Sequence, residues 1–160
     1  KDIELPNCFL IAAGETGLEG LNGKAAIANA KLAYEIYAEM FGGARFAKLE
    51  GAQKQRVLWA STSTKNPSYR DVIYVEELIG RNTVNTVPPA TLEALEDHGV
   101  VAETLSRGVD EARAHLGRLE AAGIDMPAVT GALLIDGVKK FADPFRKLLA
   151  EIETKCAQLS

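Results

Sequence analysis

Polar and apolar residues alternate with a period of two through the stretch LWASTSTKNP, which predicts a strand over residues 56–64 ending in a polar tip. In that register Trp59, Ser61, Ser63 and Lys65 share one face, with Leu58, Ala60, Thr62 and Thr64 on the other. Four hydroxyls in succession are of little use to a buried strand. Followed by lysine and asparagine, they suit an oxyanion or a phosphate. The alternative is that Ser and Thr merely end a strand and that Lys65 is a solvated charge. A second strand is predicted over 83–87, and the intervening segment 71–79 mixes strand propensity with helical spacing, as a short helical crossover would. Two strands, each ending in a polar turn and followed by a helix, indicate βα units. The expectation is therefore that 56–64 and 83–87 lie side by side in parallel, covered by helices on one side.

Elsewhere the period is helical. Ile27, Ala30, Tyr34, Tyr37 and Phe41 form a stripe, widened by Leu32, Ala33, Ile36 and Met40, over a helix predicted from about 24 to 41. Asn22 is its expected cap and Gly42-Gly43 its stop. Tyr34 and Tyr37 are read as aromatics at the edge of a core rather than catalytic phenols. Residues 45–53 form a short helix or an irregular polar segment. Pro88-Pro89 opens a helix over 90–97, closed by His98-Gly99. Val109, Ala112, Leu116 and Leu119 mark a helix over 109–122 that Gly123 terminates, and Asp125 caps a turn near Pro127. Val138, Phe141, Phe145, Leu148, Leu149 and Ile152 make a last apolar stripe suited to covering a sheet or barrel. Asp143-Pro144 is expected to interrupt it, with Pro144 opening a new helix. The start of the chain is less regular. An apolar run over 8–13 suits a buried strand or a packed linker, and glycines at 14, 17, 20 and 23 lack the GKS or GKT ending of a phosphate loop. A flexible connection is the expectation there.

Composition narrows the classes. The 160 residues suffice for one domain with its own core but not for two large ones. A hydrophobic fraction of 47% and a charged fraction of 25% are those of a soluble globular chain. A net charge of -4 offers no basic surface to nucleic acid. No apolar run approaches the roughly 20 residues that span a bilayer, so neither nucleic acid nor membrane is an expected partner. Cys8 and Cys156 stand at opposite ends without CxxC spacing, which favours two reduced thiols in a cytoplasmic protein over a terminal disulfide. His98 reads as a helix-end residue and His115 as a helix-surface residue. With no paired ligand pattern between them, no metal site is expected, and no cofactor. The chain opens on Lys1 rather than methionine, as a processed chain or part of something longer would.

Parallel βα units carry functional residues at the carboxyl ends of their strands. That rule selects Ser61, Ser63, Lys65 and Asn66 from the first unit, and Asn85 and Thr86 from the second. Lys65 has two readings. As a neutral amine it would attack a carbonyl and form a Schiff base, given desolvation or a nearby cation. As an ammonium it would hold a substrate phosphate, helped by Ser63 and Asn66. No apolar cage around Lys65 is evident, which favours charge binding. Asp71, Glu76 and Glu77 read as surface residues of the crossover, Asp110 and Glu111 as charges suited to a helix start, and Trp59 as packing.

The stretch LWASTSTKNPSYRDVIYVEELIGRNTVNTVPPATLEALEDHG resembles the closing part of a transaldolase, in the branch found in actinobacteria and related bacteria. GKAAIANAKLAYEIYAEMF upstream and VDEARAHLGRLEAAGIDMPAVTGALLIDGVKKFADPFRKLLAEI downstream fit the same family, so the resemblance runs over about 21–152. It implies an α/β fold: the C-terminal portion of a (β/α)8 TIM barrel, about two parallel strands with covering helices. On this division 1–20 is a linker or poorly matched segment, and 21–155 the C-terminal part of a transaldolase-like barrel. A complete barrel needs about 250 residues, so a part of a longer enzyme is expected.

The resemblance also implies an activity. A dihydroxyacetone unit passes from a ketose phosphate, such as sedoheptulose 7-phosphate, to glyceraldehyde 3-phosphate through a lysine Schiff base. The family's lysine lies in a Val-Lys-Ile-Pro-like or Ile-Lys-like stretch, which this chain does not contain. The aspartate of the first strand and the glutamate of the third are missing with their strands. No catalytic residue is therefore expected here, and the isolated chain is expected to be inactive. What the resemblance places here is the phosphate end of the pocket. The family's strand near the seventh position ends in a serine followed closely by arginine and asparagine. Ser61 or Ser63, Lys65 and Asn66 occupy the matching segment, with lysine replacing the arginine and its planar fork. The implied partners are phosphorylated sugars and the remainder of the barrel or a partner chain. The rival reading is a non-catalytic interaction or structural domain derived from such a barrel, whose exposed strand edges would need partners.

Overall fold

The computed structural model of the chain describes residues 19–21 and 23–159. They fall into two compact units, whose described parts are 19–118 and 119–159. The apolar run over 8–13, Cys8 and Asn22 lie outside the described residues.

The larger unit holds two short parallel strands, β1 (Val57–Trp59) and β2 (Thr83–Asn85). Val57 stands opposite Thr83, Leu58 opposite Val84 and Trp59 opposite Asn85. The expected parallel pairing is present, but both strands are shorter than 56–64 and 83–87. Ser61 takes a φ of 58°, which turns the chain out of extended geometry and ends the period of two at Trp59. Beyond the ladder the Thr86 N–H still donates to the Trp59 carbonyl at 3.0 Å. Two prolines then follow at 88 and 89, without N–H groups to continue a strand.

Helix α1 (Ala25–Gly42) precedes the strands, and the short α2 (Ala44–Ala47) follows it. The residue at the cap of α1 is Lys24, not Asn22, and it makes no side-chain capping bond. Gly43, in extended conformation, ends the helix as expected. The Tyr34, Tyr37, Phe41 and Phe46 rings form a row with successive centroids 5.7, 5.1 and 5.0 Å apart, carrying the aromatic edge from α1 onto α2. The Tyr34 hydroxyl donates to the Arg81 carbonyl at 3.0 Å.

The crossover contains α3 (Ile73–Glu77), and β2 is followed by α4 (Pro89–His98) and α5 (Val109–Ala121). The crossover is helical, as its spacing suggested, and buries Val72, Val75 and Leu78. Leu105 is fully buried, and its N–H and that of Thr104 both donate to the Ile79 carbonyl. Of the acidic residues of the crossover, Asp71 is exposed, as read, whereas Glu76 and Glu77 are half-buried. The Glu76 side chain is 17% exposed, pairs with Arg70 through two bonds of 2.8 and 2.9 Å, and accepts the Val100 N–H at 2.8 Å. Glu77 takes a bond of 3.0 Å from buried Lys31, whose ammonium also donates to the Arg107 carbonyl at 3.1 Å. A lysine inside a helix face is tolerated because both partners meet its charge there. Together these contacts tie α1 to the crossover and to the loop before α5.

Helix α5 ends in the smaller unit with Gly123 at φ 85°, a conformation open to glycine. Its N–H donates to Glu120 and that of Ile124 to Leu119, closing the terminus by a Schellman motif. Asp125 accepts the Ala128 N–H at 3.0 Å, the cap its position suggested. Helix α6 (Met126–Leu159) then runs through Pro144 without a break, correcting the expected interruption at Asp143-Pro144. Proline removes one donor, and Ala142 on one side and Arg146, Lys147 and Leu148 on the other are good helix formers. The stripe from Val138 to Ile152 is exposed, and no single helix among the described residues is long and apolar enough to cross a membrane.

Candidate functional site

The carboxyl end of β1 opens onto a cavity of about 370 Å³. Ile27 and Ala30 of α1, Trp59 of β1, and Tyr74 and Leu78 of the crossover supply its apolar walls. Ser61, Thr62, Ser63 and Lys65 supply the polar ones. The surroundings are thus more apolar than the sequence suggested, although Lys65 itself is exposed.

The loop owes its shape to two anchors. Ser61 occupies the left-handed region, which costs a non-glycine residue about 1–3 kcal/mol and is characteristic of functional loops. Thr62 turns inward and is 3% exposed, donating through Oγ1 to Asn85 Oδ1 at 2.9 Å. Trp59 is half-buried in the wall of the cavity. It also fixes the floor, its indole N–H donating to the Leu78 carbonyl at 3.2 Å.

Lys65 Nζ donates to Ser63 Oγ at 3.1 Å, so two of the predicted polar groups meet directly. Ser61 shares their cavity. Asn66 is not among its walls: its Oδ1 accepts the Ser68 N–H at 2.9 Å and closes the next turn. Of the residues selected from the second unit, Asn85 reaches the loop through Thr62, and the Thr86 hydroxyl donates to the Trp59 carbonyl at 3.3 Å. Hydroxyl donors beside a lysine amine form a set suited to the oxygens of a phosphate. Thr62 and Tyr74 were not selected from sequence. Strict alternation put Thr62 on the far face, and Tyr74 reaches the cavity only through the crossover's fold.

Electrostatic shifts concentrate outside this cavity. His98 lies between Asp71 at 2.9 Å and Asp97 at 3.0 Å, and its pKa is raised by the bond to Asp71 first and that to Asp97 next. The same bond to His98 holds the Asp71 carboxyl below its ordinary range. Arg70 does the same for Glu76. His115, expected on a helix surface, is instead 3% exposed, and neither ring nitrogen has a hydrogen-bond partner. Burial pushes its pKa down, with Arg118 and Lys24 adding to the effect. Its place three residues after Ala112 and four before Leu119 sets it in the buried stripe of α5, which is the signal that the surface reading overlooked. Among the described residues no group of three or more His, Cys, Asp and Glu is placed to hold a metal ion.

Residues 10–152 match a model of the transaldolase/fructose-6-phosphate aldolase family. The chain is 52% identical over 134 residues to a transaldolase of Neisseria meningitidis serogroup C, covering 82% of this chain and 38% of that protein. It is 45% identical over 157 residues to a transaldolase of Neisseria gonorrhoeae, covering 94% of this chain and 45% of the relative. A transaldolase of the Parafrankia sp. strain EAN1pec is 49% identical over 146 residues, covering 89% and 40%. The chain thus spans about two fifths of the length of these relatives.

Proposed function

The chain belongs to the transaldolase/fructose-6-phosphate aldolase family, and from that premise we propose that it supplies the sugar-phosphate end of a transaldolase active site. The observation that carries this reading is the gathering of Ser61, Ser63 and Lys65 around one cavity at the carboxyl end of β1, which pairs in parallel with β2. Lys65 is the cation for the phosphate, and Ser61 and Ser63 add neutral hydroxyl donors. Asn66 has its Oδ1 engaged by the Ser68 N–H, so its amide NH2 is the donor it offers.

In this reading β1 and β2 are the last two strands of a (β/α)8 barrel, and the remaining strands bring the catalytic carboxylates and the Schiff-base lysine. The reaction is transfer of a dihydroxyacetone unit from a ketose phosphate to an aldose phosphate. The chain's share of it is positioning: a phosphate held at a fixed point places the ketone, several bonds away, against a nucleophile on another strand. Being far from the bond that breaks, the phosphate contact acts equally on ground and transition states.

Borohydride trapping tests the division of labour. The chain alone, incubated with a ketose phosphate and borohydride, is expected to give no adduct on any lysine. The complete enzyme should give one on a lysine outside these 160 residues. A stoichiometric adduct on Lys65 would overturn the phosphate assignment.

A further inference from the structure

Lys65 lies in a turn that is tied down on both sides. On the near side Thr62 is bonded to Asn85. On the far side the Thr64 hydroxyl lies 3.1 and 3.2 Å from the carbonyls of Arg70 and Asp71 and donates to the pair, so residues 64–71 close into one small ring of chain. Asn66 stiffens that ring from within, its carbonyl accepting the Tyr69 N–H and its side chain the Ser68 N–H. The ring is clasped in turn to the end of α4 at two points, both on His98. Arg70 Nη2 donates to the His98 carbonyl at 2.7 Å, and Asp71 Oδ1 lies 2.9 Å from His98 Nε2. The first point does not titrate, because arginine keeps its proton, and Glu76 holds the same guanidinium from the crossover. The second does.

His98 has a carboxylate at each ring nitrogen: Asp71 at Nε2 and Asp97, of α4 itself, at Nδ1, 3.0 Å away. A neutral imidazole has one N–H and can donate to only one of them, while its other nitrogen turns a lone pair toward an anionic oxygen. The imidazolium donates to both. The other charged groups near the ring are Arg70 and Glu76, which pair with each other. We propose that His98 is a positioning residue for the sugar-phosphate loop: its imidazolium holds Asp71 and, through Thr64, the turn that carries Lys65, and loss of its proton loosens that hold and weakens phosphate binding. The inference rests on the reading of Lys65 as the phosphate cation. Asp71 first and Asp97 next raise the His98 pKa, so the loosening falls above the ordinary histidine value of about 6.5. Its contacts are exposed, and the effect is correspondingly small: a phosphorylated donor should bind more weakly by no more than about fivefold.

The test is the ratio of KM for a phosphorylated donor in His98→Gln to that in the unsubstituted complete enzyme, followed from about pH 6 to about pH 9. Taking a ratio cancels the titration of the donor's own phosphate, whose second pKa is about 6. Glutamine is neutral throughout, so the ratio should be about two- to fivefold at the acid end and fall to unity once His98 in the unsubstituted enzyme has lost its proton. The kcat values should agree at every pH. Asp71→Asn, which removes the partner's charge instead, should give the same profile. In a Lys65→Ala background the ratio should stay level at unity. A ratio independent of pH would mark His98 as merely structural and overturn the inference, as would a pH-dependent ratio that survives Lys65→Ala. Failure of the sugar-phosphate reading shows separately, as a KM for the phosphorylated donor that Lys65→Ala leaves unchanged.

Discussion

Thr62 Oγ1 donates to Asn85 Oδ1 at 2.9 Å, joining the cavity-lining loop after β1 to the last residue of β2. Thr62 is 3% exposed, so water cannot readily replace the bond. Thr62→Val keeps the shape, removes the donor and leaves the Asn85 amide oxygen unmatched. It should cost about 1–3 kcal/mol, read as a lower urea midpoint, while Thr62→Ser recovers most of the loss. Equal midpoints for wild type and Thr62→Val would contradict the anchoring role.

Gly80 owes its identity to Leu105. A methyl group added at Gly80 would lie 2.6 Å from Leu105 Cδ2 and 2.9 Å from Leu105 Cβ. Gly80→Ala should therefore destabilise by about 1–3 kcal/mol through overpacking. Leu105→Ala, at a fully buried position, should cost about 2–5 kcal/mol. Their combination should cost clearly less than the two together, by about 0.5–3 kcal/mol, because the shortened side chain makes room for the methyl. Simple additivity in a double-mutant cycle would show that the two residues do not compete for one space.

The two histidines should titrate on opposite sides of the ordinary value of about 6.5. His98 is raised by Asp71 and Asp97, so its stabilisation is complete below about pH 6.5 and is lost as pH rises through its higher folded value. Asp71 is lowered by His98, so its contribution is present above its unfolded value of about 3.9 and is lost as pH falls through the folded one. His115 is lowered by burial. The unfolded chain therefore takes up its proton first, and stability declines as pH falls below about 6.5. Proton NMR titration of the ring signals reads both midpoints, and His98→Gln should abolish the loss of stability above pH 6.5. Two midpoints on the same side would contradict these assignments.

Much of the fold was legible because short-range patterns carried it. The helical stripe of α1, the prolines opening α4, the glycine ending α5 and the parallel pairing of two βα strands all follow from local periodicity and caps. What failed depended on contacts or on a single dihedral angle. The strand over 56–64 stops early because Ser61 adopts a positive φ, and nothing in a Ser-Thr run announces that. Glu76 left the surface because Arg70 and the Val100 N–H converge on it from other segments. His115 was open to discovery: its spacing within the α5 stripe outweighed its polarity. Hydroxyls followed by lysine singled out a loop that lines a cavity, whereas the inward turn of Thr62 depends on Asn85, 23 residues further on.

The central claim, that Lys65 holds the phosphate of the sugar, is tested most directly by kinetics of Lys65→Ala and Lys65→Arg in the complete enzyme, using phosphorylated and unphosphorylated donors. With the phosphorylated donor, alanine should raise KM by about 10- to 150-fold with little change in kcat. Arginine, which keeps the charge and adds a bidentate fork, should recover much of the loss. With the unphosphorylated donor the alanine penalty should nearly vanish. An equal collapse of turnover with both donors, unrelieved by arginine, would make Lys65 a nucleophile and contradict the account.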